Sequence, residues 1–199
     1  MKGLKIADGE TLLCIGDSIT DCGRRGAFAP LGDGYVKFLN DLFILNYPER
    51  KIKVINKGIG GNTVIDLRDR WDDDVIRHKP DWLTILIGIN DLHRTLANTM
   101  DINPKVYREN YELILDWTKR KTKAKIVLLD PFYMSVCDCP NTHRRTVLDF
   151  IDEYTSVVAK LARKYKTKHV KLHDVFQKQL KYRDTETFGN EPVHPNHTG

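Results

Sequence analysis

TLLCIGDSITD, residues 11–21, runs Thr11 to Ile15 without a charge straight into Gly16, Asp17 and Ser18. A short apolar run closed by glycine and polar turn residues reads as a strand that is buried along its length. Four further runs read the same way: Ile52 to Asn56, Trp82 to Ile87, Lys125 to Asp130 and Lys168 to His173. Between them the spacing is helical. Val64, Leu67, Trp71 and Val75 fall on one face, as do Tyr107, Tyr111, Ile114 and Thr118, and again Ile151, Tyr154, Val158 and Leu161. A fourth helix is expected over Tyr35 to Asn46. Asn103 before Pro104 is a start signal, since Asn can cap a helix and proline fits its first position.

Strands that alternate with helices predict right-handed crossovers and a five-stranded parallel sheet covered on both faces, a three-layer α/β/α sandwich. Functional groups in such sheets gather beyond the carboxyl ends of the strands. Ser18 follows the first strand, Gly60 to Thr63 the second and Gly88 to Asp91 the third, so these segments emerge at one edge. Two basic clusters, Lys119 to Lys125 and Arg163 to Lys171, precede strands four and five and belong to the opposite edge. With a net charge of +5 they raise the question of an anionic partner. Solvated faces are the simpler reading, and no nucleic-acid partner is expected.

The 199 residues, 41% hydrophobic and 30% charged, fit one globular domain without repeats or low-complexity segments. The N-terminal stretch MKGLKIADGE lacks a signal-peptide core, and no stretch nears the roughly 20 apolar residues of a membrane span. A cytoplasmic location and no membrane partner are expected. Four cysteines, Cys14, Cys22, Cys137 and Cys139, do not suggest a disulfide framework.

A serine hydroxyl becomes a useful nucleophile when a base takes its proton and a third group orients the base. EPVHPN, residues 191–196, supplies Glu191 and His194, each held before a proline in a restrained loop. Oxyanion donors are available in the N–H groups of Ser18 and Gly61 and the side-chain amide of Asn90. Asp17 and Asp91 read as turn carboxylates that accept backbone hydrogen bonds, not as catalytic acids. CDCPNTH, residues 137–143, lacks the spacing of a zinc site and reads as a loop over the site, so no metal is expected. His93 fits a substrate contact and a surface histidine equally and is given no role.

Four blocks in order, GDSIT with Ser18, GIGGNT with Gly61, GIND with Asn90 and EPVHPN with His194, resemble the SGNH hydrolases, the GDSL-type esterases and lipases. The resemblance runs through nearly the whole chain. It implies a flavodoxin-like SGNH hydrolase fold, with Ser18 as nucleophile, His194 as base and then acid, Glu191 as orienting carboxylate, and Ser18, Gly61 and Asn90 as oxyanion donors. The family usually has Asp at the position of Glu191, which leaves the reach of the longer side chain open. Its members usually continue past the histidine block into a helix packed on the sheet. The chain is therefore expected to be a single domain over residues 1–199 that lacks that helix, with a more mobile His194 loop.

GDSITDCGR, GDGYV, NKGIGGNTVIDLRDRW, KPDWLTILIGIND and PFY look most like the bacterial branch that contains acetyl xylan esterases. That implies a serine carboxylester hydrolase that removes small acyl groups, acetyl above all, from xylan-derived oligosaccharides. No cofactor is required. Two alternatives are a lysophospholipase or thioesterase of the same family and a noncatalytic α/β binding module. Relatives of this branch often assemble, so a homo-oligomer is an expectation; Trp71, Trp82 and Trp117 suit either assembly or packing.

Overall fold

In the computed structural model, which describes residues 3–199, each of the five apolar runs forms a strand. They are β1 (Thr11–Gly16), β2 (Lys53–Gly58), β3 (Trp82–Leu86), β4 (Lys125–Leu129) and β5 (Lys168–Val170). All pairs are parallel and the order is β2-β1-β3-β4-β5. Met1 and Lys2, the start of the stretch read above for a signal core, lie outside the described residues.

Alternation along β1 separates two layers of core. Leu13 and Ile15 join the larger cluster, which includes Leu67, Tyr107, Ile114 and Val158. These belong to α3 (Val64–Asp69), α6 (Pro104–Lys121) and α7 (His143–Tyr165). Leu12 and Cys14 join a smaller cluster with Val36 and Phe43 of α2 (Tyr35–Asn46). Coverage of this second face is uneven: Val127 and Leu129 of β4 are half-buried and Val170 of β5 is exposed.

Asn103 caps α6 as its sequence suggests, its Oδ1 accepting from the N–H groups of Lys105 at 3.1 Å and Val106 at 3.2 Å. The segment with helical spacing from Val64 to Val75 is not one helix. It breaks at Arg70 into α3 and α4 (Trp71–Asp74), followed by a 3-10 turn, and the Arg70 side chain at the break donates to backbone carbonyls of β1 and β2. The expected fifth strand also ends early, and Leu172 opens α8 (Leu172–Gln179). His173 of that helix is buried, where its Nδ1 accepts the Tyr133 N–H at 3.3 Å. Three more short helices, α1 (Ser18–Asp21), α5 (Ile89–Leu96) and α9 (Thr185–Phe188), have no counterpart in the periodicity.

Trp71 and Trp82 are buried, and Trp117 packs against the larger cluster, so all three tryptophans serve the fold. The four cysteines are free thiols. Among the described residues no helix is long and apolar enough to cross a membrane.

Candidate active site

β1, β2 and β3 end level with one another, Gly16 pairing with Gly58 on one side and Leu86 on the other. The single turn of α1 crosses these ends so closely that a Cβ on Gly58 would lie 2.1 Å from the Asp21 nitrogen. Glycine is required there by contact alone. Asp17 caps the turn, its Oδ1 accepting the Ile19 N–H at 3.0 Å, and Ser18 is the first helical residue. Asp21 at the other end accepts the Gly60 N–H at 3.0 Å, which ties the loop after β2 to the serine turn.

Ser18 Oγ lies 2.6 Å from His194 Nε2, and His194 Nδ1 lies 2.5 Å from Glu191 Oε1. With Nδ1–H donating to the carboxylate, Nε2 keeps its lone pair and accepts from the serine hydroxyl. The carboxylate is itself held, because Oε1 accepts the His194 N–H at 2.6 Å and Oε2 the Val193 N–H at 2.9 Å. The extra methylene of Glu191 is thus taken up by a loop in which the side chain folds back on its own backbone. The pair stands half in water, with side-chain exposures of 53% for His194 and 45% for Glu191. Both flanks of the loop are fastened: the Met134 N–H donates to Pro192 O at 2.8 Å and the Asn196 N–H to Phe188 O at 2.7 Å.

The loop after β2 borders the serine at Gly60, where a Cβ would lie 3.8 Å from the Ser18 Cβ, and the next residue, the expected donor Gly61, takes the left-handed φ of +78° that favours glycine. Arg94 Nη2 donates to Gly61 O at 2.8 Å, which fixes the orientation of that carbonyl. Asn90 Nδ2 donates to Asn62 O at 3.0 Å, and an amide group has a second N–H to offer. Next to it, Asp91 Oδ1 accepts the Val64 N–H at 2.9 Å, so α5 is pinned to the start of α3. Such an array can stabilise the oxygen of a tetrahedral adduct on Ser18.

Asp17 and Asp91 are fully buried, and each has one Oδ2 without a partner among the described residues. Burial pushes both carboxyls up to about 7, against backbone hydrogen bonds that favour the charge. Both take the backbone-accepting place expected of them. His93 lies between Tyr133, which it meets edge to face, and a tilted His143, with ring centroids at 5.9 and 5.6 Å, and burial, aided by His143, holds it below the usual histidine range. Cys137 contacts Thr142 Oγ1 at 3.3 Å and Cys139 is exposed, and no three candidate ligands gather among the described residues.

Ser18 and His194 also border a cavity of about 240 Å³ with a largely apolar wall that includes Tyr35, Phe38, Phe132 and Phe176. Three residues to which the sequence reading gave no role complete the frame: Asn62 through its carbonyl and its side-chain Oδ1, Met134 through its N–H, and Arg70. Two of these act through backbone atoms, which every residue type carries.

Residues 14–199 match the model of the GDSL-like lipase/acylhydrolase family. An acetylxylan esterase of Geobacillus stearothermophilus is 41% identical over 204 residues, 98% of this chain and 91% of that protein. A crystal structure of an acetylxylan esterase from the same organism superposes with a TM-score of 0.85 at 39% identity, over 97% of this chain and 90% of the other. Structures of its catalytic mutants replace a serine, an aspartate and a histidine with alanine. The uncharacterized lipoprotein YqeF of Bacillus subtilis is 32% identical over 121 residues, 60% of this chain and 47% of its own length.

Proposed function

Since the chain belongs to the GDSL-like lipase/acylhydrolase family and is a serine esterase, we propose that it removes acetyl groups from xylan-derived oligosaccharides through an acyl-enzyme on Ser18. The observation that carries the assignment of roles is the continuous line Ser18 Oγ, His194 Nε2, His194 Nδ1, Glu191 Oε1, with links of 2.6 and 2.5 Å.

In this reading Ser18 Oγ attacks the acyl carbonyl as its proton passes to His194 Nε2, and Glu191 stabilises the imidazolium that forms. The oxyanion receives the N–H groups of Ser18 and Gly61 and the free N–H of Asn90. His194 then returns the proton to the departing sugar hydroxyl. Water enters and gives a proton to the same nitrogen as its oxygen attacks the acyl carbon; the bond to Ser18 Oγ then breaks, the nitrogen returns the proton to Oγ, and acetic acid leaves. Each proton moves through one protein atom, so the sequence of steps runs on side chains and backbone alone.

A fluorophosphonate probe tests this directly. Peptide mass spectrometry should find the adduct on Ser18, and His194→Ala should abolish it, while Ser18→Ala lowers acetyl-ester turnover by on the order of 10⁴-fold or more. Full activity in Ser18→Ala would refute the reading. The apolar cavity beside Ser18 favours a second one, a lipolytic enzyme of the same family, because it has room for more than a single methyl group. Rates on p-nitrophenyl esters of increasing length separate the two: a maximum at acetate supports deacetylation, and a rise beyond about eight carbons supports the alternative.

A further inference from the structure

The oxyanion donors lie on three separate chain segments: the turn after β1, the loop after β2 and the start of α5. Stabilisation of a developing charge depends on donors that are in place before the reaction, so the spacing of these segments has to be fixed. One side chain touches more of this frame than any residue of the catalytic line.

Arg70 stands at the break between α3 and α4, with its side chain only 16% exposed. Its Nε donates to Asn62 Oδ1 at 2.9 Å, its Nη1 to Lys57 O at 2.9 Å, and its Nη2 to Gly16 O at 3.2 Å. Gly16 ends β1 two residues before Ser18, and Lys57 is the penultimate residue of β2. Asn62 directly follows Gly61, and its carbonyl receives the Asn90 amide. A single planar cation therefore joins the segment of the nucleophile to that of Gly61 and, through Asn62, to the amide of Asn90.

The cation is itself anchored. Nη1 also donates to Asp74 Oδ2 at 2.6 Å, and Lys57 Nζ donates to the other oxygen at 3.0 Å. Burial works against the Asp74 charge, yet the hydrogen bonds from Arg70 and Lys57 outweigh it and hold the carboxyl below its ordinary range. Asp74 thus stays ionised opposite the guanidinium.

We infer that Arg70 is a positioning residue for the oxyanion hole, setting the spacing of the Ser18, Gly61 and Asn90 donors without touching substrate. The inference rests on the serine-esterase reading above. Lysine cannot take the place, because the geometry uses a fork of donors that spread to four acceptors, and an ammonium presents one compact charge on a flexible stem. A residue that only stitched the fold would lower stability without regard to Asn90. A positioning residue must lose its effect once the donor it positions is gone.

That difference defines the experiment: R70K, N90A and the double variant, each measured for fluorophosphonate labelling of Ser18 and for kcat and KM on p-nitrophenyl acetate. N90A should lower kcat by about 10²–10³-fold, the usual cost of one oxyanion donor. R70K should lower kcat and the labelling rate by about 10-fold with KM within about threefold, and in the N90A background its further cost should fall below about threefold. R70K at wild-type rates, or with its cost undiminished beside N90A, overturns the inference. A wild-type protein that is neither labelled nor active overturns the esterase reading instead, and the inference falls with it. Circular dichroism checks the fold of each variant. If R70K does not fold, N62A, which removes the Nε partner and leaves the strand contacts, runs through the same cycle with the same expectations.

Discussion

Glu191 meets His194 through a carboxylate that also accepts two backbone N–H groups of its own loop. Glu191→Gln keeps one acceptor oxygen for those groups, puts an NH2 donor where the other stood, and removes the charge that stabilises imidazolium. Its kcat should fall by about 10²-fold with little change in KM, less than the roughly 10⁴-fold of a fully buried triad carboxylate because water screens this pair. Steady-state kinetics on p-nitrophenyl acetate read it, and an unchanged kcat would leave Glu191 only a loop-shaping role. Asp91 makes a different prediction. Its carboxyl is raised from 3.8 to about 7 by burial, so between those values the folded protein holds a proton that the unfolded chain has released. Stability from this group is therefore present at the acid end and declines as pH rises through the window. Asp91→Asn removes the titration, and the difference in urea midpoint should shift in favour of the variant between pH 4.5 and 8. A difference constant with pH contradicts the assignment. Ser18, His194 and Glu191 were legible in the sequence because nucleophile, base and carboxylate are distinctive types in distinctive places. Arg70 was not, since its partners are carbonyls of Gly16 and Lys57 and the side chain of a loop Asn.

At the scale of elements, legibility followed the source of order. β1 and β3 could be read because burial on both faces demands unbroken apolar runs, and α6 and α7 because one long face has to meet the core. α1, α3 and α5 are short and owe their limits to caps and to partners distant in the chain. Asp17 starts α1, and Asp91 reaches from α5 to the first turn of α3. Periodicity ran through Arg70 without a mark, although the helix breaks there. The start of α3 carries a capping box: Thr63 Oγ1 accepts the Asp66 N–H, and Asp66 Oδ2 accepts the Thr63 N–H at 2.7 Å. Thr63→Ala should destabilise the protein by about 1–2 kcal/mol in urea unfolding. Since α3 follows the Gly61 loop directly, the same variant should lose esterase activity before it loses helix content by circular dichroism.

Across the whole molecule, the sheet is a rigid mount and the histidine loop is a late addition to it. β1 and β3 lie at the centre of the ladder, whereas residues 189–199 touch the rest of the molecule through contacts such as Met134 with Pro192 and Phe188 with Asn196. Removal of residues 189–199 should leave far-UV circular dichroism and cooperative unfolding largely intact, with labelling of Ser18 abolished. Loss of the cooperative transition would show that the loop belongs to the core of the fold.

The bond that completes the site joins residues 176 positions apart. At a synthesis rate of roughly 5–20 residues per second, Ser18 emerges from the ribosome roughly 10–35 s before His194 does. For that interval the nascent chain carries its nucleophile without a base, so the serine is first made in an inert form, and hydrolysis waits for the loop that carries Glu191 and His194.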